Sequence, residues 1–235
     1  MKNSFKTVVK SAFYKSLPVM AGYVILGTGF GILLRNAGYG ALWAFAMSLL
    51  IYAGSMQFVG VSLIAGGASV VTTILTTIMV NARHLFYSIS MIDRYKDAGK
   101  YKPYMIFALT DETYSLLCDG SAPEEGDANL YRLLVSMFNQ CYWVTGSVIG
   151  NLLGGVLPFS TEGIEFSMTA LFIASFTEQW VSGGNHVPAL TGILCSLVCL
   201  VAFGPQRFLI PAMLLITLVL TLARGGLSRE AGDRP

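Results

Sequence analysis

Asn81, Arg83 and His84 stand close together in the string Val-Asn-Ala-Arg-His-Leu-Phe-Tyr, inside an apolar segment from Val70 to Met91 long enough to cross a bilayer. An arginine at such depth costs about 3 kcal/mol or more even after snorkelling, so its chemistry is to line a polar path, hold a carboxylate or pair with a buried acid. At 3.6 residues per turn Asn81, His84 and Ser88 share one helical face, with Arg83 and Tyr87 beside it. The partner is supplied by Thr110-Asp111-Glu112-Thr113-Tyr114-Ser115, where adjacent carboxylates in a hydrophobic run cannot face lipid. Asp111 or Glu112 is the natural counter-charge for Arg83, and either can carry a transported proton. A structural ion pair and an arginine snorkelling to the nearby membrane edge are the bland readings, since Met91 ends the span two turns later.

Two more polar stretches lie within apolar sequence. Tyr52-Ala-Gly54-Ser55-Met-Gln57-Phe suits a helix break whose amides can cradle an anionic group. Ser175-Phe-Thr-Glu178-Gln179-Trp adds another embedded acid. Interhelical hydrogen bonding is the alternative role for both. Gly27-Thr-Gly29-Phe-Gly31 resembles a nucleotide loop only superficially, because no strand precedes it, and close helix packing is its expected use. His84 and His186 are the only histidines, no zinc-ligand spacing occurs, and Cys118, Cys141, Cys195 and Cys199 are scattered as small hydrophobes. No cofactor, metal or catalytic residue is expected.

The elements that must position these residues are membrane helices. Of 235 residues 54% are hydrophobic and only 12% charged, about half the charge of an ordinary soluble domain. The apolar runs are continuous, which excludes an outer-membrane barrel, and nothing supports nucleic-acid binding. The sequence therefore reads as an all-α polytopic bundle with about eight segments: Leu17 to Leu34, Ala41 to Ala65, Val70 to Met91, Tyr104 to Cys118, Leu133 to Leu157, Phe166 to Val181, Val187 to Phe203 and Phe208 to Ala223. Several are too short to cross, which predicts broken or re-entrant helices.

Residues 1–16 are expected to form a basic amphipathic helix on the cytoplasmic surface, followed by halves 17–118 and 131–224 of one transporter domain. The positive-inside rule puts the N-terminal lysines, the loop Asp93 to Lys102 and the tail with Arg224 inside, and the acidic loop Asp119 to Asn129 outside. Eight simple crossings cannot satisfy these assignments, and one non-crossing segment in each half restores the parity of the basic regions. A weak echo of Gly31-Ile-Leu-Leu in Gly150-Asn-Leu-Leu, half a chain away, suggests inverted repeats.

At these residues the chain resembles the AzlC family of bacterial branched-chain amino acid permeases. The likeness rests on the glycine-rich first span after Pro18, on Ala53-Gly54-Ser55-Met-Gln57, on Asn81-Ala82-Arg83-His84 with Tyr87-Ser88, and on Thr110-Asp111-Glu112-Thr-Tyr. It implies a multi-pass protein of the bacterial cytoplasmic membrane, N-terminus inside, that works with a small AzlD-type subunit to export hydrophobic amino acids. A zwitterionic substrate needs three things. Gly54, Ser55 and Gln57 with Asn81, Arg83 and His84 suit the carboxylate; Asp111, Glu112 or Glu178 suits the ammonium; Phe and Met suit the apolar side chain. Asp111 and Glu112 are also the coupling candidates in a proton-driven cycle. The competing classes are a membrane-embedded enzyme acting on lipid or peptide, and an accessory subunit without transport of its own.

Overall fold

The computed structural model describes residues 2–118, 120, 122–123, 126–156, 166, 173, 176–177, 180–181, 186–205, 208, 211–212 and 214–222. They fall into two compact units, Met1–Thr169 and Ala170–Pro235. All regular structure among the described residues is helical.

The first unit is organised by two long helices, α1 (Lys2–Asn36) and α8 (Ala128–Val156). They run in the same direction: Phe13 meets Phe138 edge to face, Ser16 bonds Tyr142, and Gly154 lies against Arg35. Between these points the backbones touch. A Cβ on Gly31 would fall 2.1 Å from the Ser147 carbonyl oxygen, and one on Gly150 2.1 Å from that of Thr28. Glycine is required there because only its missing side chain lets two helical backbones come so close. Of the glycines expected to pack helices, Gly27 and Gly31 do so. However, the echo joins Gly31 to Gly150 on parallel helices, whereas inverted repeats would need opposite directions, so that expectation is corrected.

α1 is also the one described helix long and apolar enough to cross a membrane, from Phe5 to Asn36. It passes Pro18 without a break, so residues 5–16 are its first turns and not a separate helix. Val8 and Ala12 on those turns join a buried cluster with Met91, Tyr95, Met105, Leu117, Tyr131 and Val135, while Lys6 and Lys10 stay exposed.

The remaining apolar segments of this unit are broken. The second splits into α2 (Ala41–Leu50) and α3 (Gly54–Ala65). α2 descends along α8, with Asn151 donating to the Tyr39 carbonyl at one end and Gln140 to that of Leu49 at the other. α3 then climbs back, placing Gln57 on Trp143 and Phe58 on Phe30. The fourth splits into α6 (Lys102–Phe107) and α7 (Asp111–Leu117), preceded by a 3₁₀ turn at Gly99–Tyr101. α6 enters from the end that holds the loop Asp93 to Lys102, and α7 returns to it, since Arg94 donates to the Leu117 carbonyl at 3.2 Å. Between the hairpins runs α4 (Val70–Asn81), continued after a tight turn at Ala82 by α5 (Arg83–Met91).

Broken segments are thus present among the described residues of the first half, whereas much of Phe166 to Val181 in the second half lies outside the described residues. The fourth segment is too short to cross and turns back. The start of α8 therefore returns to the basic loop: Asn129 donates to the Asp97 carbonyl at 3.0 Å and Arg132 to that of Arg94 at 3.3 Å. The acidic loop was expected on the opposite side, and its described residues share the end of the basic one. Asp119, Glu124 and Glu125 lie outside the described residues, as does the tail from Ala223 onward.

Many large apolar side chains are exposed among the described residues. α4 buries none of its residues and exposes Val70, Val71, Ile74, Leu75 and Ile78, a stripe suited to lipid. In the second unit α9 (Val187–Phe203) buries Cys195 and Cys199 and exposes Leu194, Val198 and Val201. The Trp180 ring stacks on His186 at 4.2 Å beside it.

A candidate carboxylate site between two hairpin tips

The hairpins α2–α3 and α6–α7 enter from opposite ends, and their tips meet beside Arg83. The first tip, Ile51 to Ala53, is opened by Tyr52, whose φ of +44° is left-handed. The second, Ala108 to Thr110, is closed by Thr110, whose hydroxyl accepts the Thr113 N–H as an N-cap. Asp111 follows in the first turn of α7, where a carboxylate suits the helix dipole. α3 has no side-chain cap, so its first amides at Gly54 and Ser55 are not covered by one.

Arg83, the first residue of α5, bridges the two tips. One guanidinium nitrogen donates to Asp111 Oδ2 at 2.5 Å and the other to Ser55 Oγ at 2.5 Å. The guanidinium is thus held between the two tips by Asp111 and Ser55. The Arg83 and Asp111 side chains keep 23% and 29% of their surface exposed, so the pair is not sealed in the core. His84 donates from Nδ1 to the Asn81 carbonyl at 3.2 Å and sets its ring edge against Tyr87. Tyr87 in turn stacks on Tyr114 at 5.1 Å, walling the Asp111 side. Asn81 Oδ1 is buried without a hydrogen-bond partner.

The two adjacent acids go different ways. Asp111 faces the arginine, whereas Glu112 accepts a 2.6 Å hydrogen bond from Tyr23 of α1. Tyr23 also contacts Thr110 Oγ1 at 2.7 Å, Thr110 donates to Thr113, and Asn139 of α8 donates to Thr113 at 3.0 Å. No arginine or lysine hydrogen-bonds Glu112 among the described residues.

α8 holds both hairpins in register. Gln140 donates to the Leu49 carbonyl and accepts from Tyr104, tying α2 to α6. Trp143 donates to Gln57 Oε1 at 2.9 Å and lies under Gly54, where a Cβ would meet its ring at 3.1 Å. Gln57 completes its amide by donating to Ser48. It was expected in the site, and here both ends of its amide are engaged in helix packing behind the tip.

Of the expected site residues, the structure brings together Ser55, Arg83 and Asp111, with Gly54 next to Ser55, Asn81 and His84 next to Arg83, and Glu112 next to Asp111. Glu178 lies outside the described residues. Sequence reasoning missed Tyr23, Tyr52, Asn139 and Trp143. The signal available for two of them was the polar stripe Ser136, Asn139, Gln140, Trp143, Ser147 and Asn151 at helical spacing in an otherwise apolar run, all buried in α8.

Comparison with known proteins supplies the context. Residues 18–157 match the family described as AzlC protein. The branched-chain amino acid transport protein AzlC of Bacillus subtilis is 42% identical over 94% of this chain and 87% of its own length. An uncharacterized membrane protein of Haemophilus influenzae is 40% identical over 94% of this chain and 91% of its own. The inner membrane protein YgaZ of Escherichia coli is 28% identical over 68% of each chain. No solved structure matches the chain.

Proposed function

Because this chain belongs to the AzlC family, we propose that it is a secondary transporter of the bacterial cytoplasmic membrane that exports branched-chain and similar hydrophobic amino acids, driven by the proton gradient, with a small AzlD-type membrane subunit. The observation that carries this reading is Arg83 held between Ser55 and Asp111 at two hairpin tips that enter from opposite ends. A single rocking of either hairpin changes which end the arginine faces, which is what alternating access needs.

In the proposed cycle the substrate carboxylate takes the place of Asp111 on Arg83. A planar guanidinium can take an incoming carboxylate on both of the nitrogens that Asp111 and Ser55 now hold one each. Gly54 and Ser55, at the uncapped start of α3, supply backbone donors, and Asn81 and His84 line the approach. The released Asp111 receives the ammonium group or a proton, and the second embedded acid, Glu112 or Glu178, receives the other. Gln57 acts from behind by fixing Trp143 under Gly54.

The membrane arrangement that goes with this has about eight apolar segments of which the hairpins are two. The six others cross, so the N-terminus, the loop Asp93 to Lys102 and the basic tail all lie inside, in keeping with the positive-inside rule. The test is efflux of preloaded valine or leucine from proteoliposomes holding this chain with its partner, under a pH gradient of each sign. Efflux that follows the sign of the gradient is expected, and no flux in either direction with the partner present would sink the reading.

A further inference from the structure

The first turns of α1 carry an apolar groove with two lysines on its rim that no part of the transport site uses. Phe5, Val9 and Phe13 recur every four residues and so form one row of the helix, and Lys6 and Lys10 form the row beside it. Both rows, with Phe138 of α8, line a groove of about 330 Å³. Its wall is fixed: Phe138 meets Phe13 edge to face at 5.7 Å and stacks on Tyr142, whose hydroxyl bonds Ser16. Val8 and Ala12, on the other side of the same turns, are buried in the core, whereas Phe5 and Phe13 stay 54% and 40% exposed.

Depth and charge together define what fits there. At 1.5 Å per residue the uncharged stretch of α1, Ser16 to Leu34, is about 28 Å long and matches a hydrocarbon core of about 30 Å. The turns from Phe5 to Lys15 therefore stand at the level of the headgroups. Among the described residues no carboxylate pairs with Lys6 or Lys10, and the Lys10 ammonium lies 5.9 Å from the centre of the Tyr14 ring. Two uncompensated cations beside an apolar trough match a molecule with an anionic head and a hydrocarbon tail. A soluble anion would leave the apolar lining bare, and a second copy docked groove to groove would bring four lysines together.

We propose that the groove between the first turns of α1 and Phe138 is a binding site for one anionic phospholipid of the bilayer, its phosphate held by Lys6 and Lys10 and an acyl chain lying against Phe5, Val9, Phe13 and Phe138. The lysine stems run along the apolar lining while their ammonium groups meet the phosphate oxygens, as long basic side chains do at a membrane edge. Because the groove draws on both α1 and α8, a seated lipid ties the two helices together at the end that the close glycine contacts do not reach. The site rests on these turns alone and not on the transport reading.

Native mass spectrometry of the purified, delipidated full-length chain tests this with phosphatidylglycerol and phosphatidylcholine of identical acyl chains. The first phosphatidylglycerol should bind about tenfold or more tighter than the first phosphatidylcholine. K6Q/K10Q should lose that preference, at about fivefold per lysine. K96Q/K100Q, which removes the same charge from the basic loop at the same end, should keep it within about twofold. Phe13→Ser should weaken both lipids alike, since it removes apolar lining and no charge. Equal binding of the two lipids by the wild type, a preference kept in K6Q/K10Q, the same loss in K96Q/K100Q, or wild-type binding of both lipids by Phe13→Ser overturns the proposal. So does displacement of phosphatidylglycerol by inorganic phosphate, which assigns the lysines to a soluble anion, or a chain dimer that takes no lipid, which assigns the groove to a second copy.

Discussion

The seam between α1 and α8 and the meeting of the hairpin tips sit side by side in one unit, built on opposite principles. The seam is made of backbone: Gly31 presses against Ser147, Gly150 and Asn151 with no room for a methyl group, and Gly27 fits tightly against Gly146 and Ser147. The tips are polar and incompletely bonded: Arg83 and Asp111 remain accessible, and hydroxyl or carbonyl groups of Tyr52, Asn81 and Asn139 are buried without partners. Close packing makes a region rigid, because every displacement costs dispersion contacts at once. Unmet hydrogen bonds do the reverse, since a second arrangement can satisfy them. On the proposed function, the packed seam serves as a spine beside hairpins whose unmet hydrogen bonds allow a second arrangement.

That contrast can be broken by substitution. The largest effect is expected at the tips, where Arg83→Gln should lower leucine flux about 100-fold or more while membrane insertion and thermal stability hold, because charge-assisted hydrogen bonds to a carboxylate are lost. Flux and melting measured on the same preparation check this. Next in size is the seam: Gly31→Ala should cost about 1–3 kcal/mol of stability by forcing two backbones apart, with flux per folded molecule little changed. If this variant transported poorly while melting normally, the seam would not be a passive spine. Gln57→Ala leaves the Trp143 indole N–H and the Ser48 hydroxyl unpaired, and about 1–2 kcal/mol of destabilisation should accompany a modest loss of flux. Ser55→Ala, which removes one neutral acceptor from Arg83, should weaken apparent substrate affinity by about three- to tenfold without altering melting.

How much of this was legible beforehand differs between the regions. The glycine seam could be read directly, because Gly27, Gly29 and Gly31 in an apolar span have few uses other than close packing. So could the pairing of Arg83 with an acid, since an isolated charge at that depth is untenable. Which acid it meets could not be read: Asp111 and Glu112 are neighbours, and only the fold of the second tip turns one toward α5 and the other toward α1. The turn back at Ala108 to Thr110 carries no glycine or proline to announce it, so the side of the acidic loop was misjudged. Similarly, the echo between Gly31 and Gly150 showed a likeness of packing surface but not its direction. Tyr52 escaped notice because nothing about a tyrosine after an apolar run foretells a left-handed backbone.

Competition for leucine exchange in proteoliposomes tests the central claim, that Arg83 takes the substrate carboxylate in exchange for Asp111, most directly. Labelled leucine exchange should be inhibited by unlabelled leucine and by its des-amino acid, but not by leucinamide, and Arg83→Gln should abolish exchange altogether. Inhibition by leucinamide as strong as by leucine, or exchange preserved in Arg83→Gln, would contradict it.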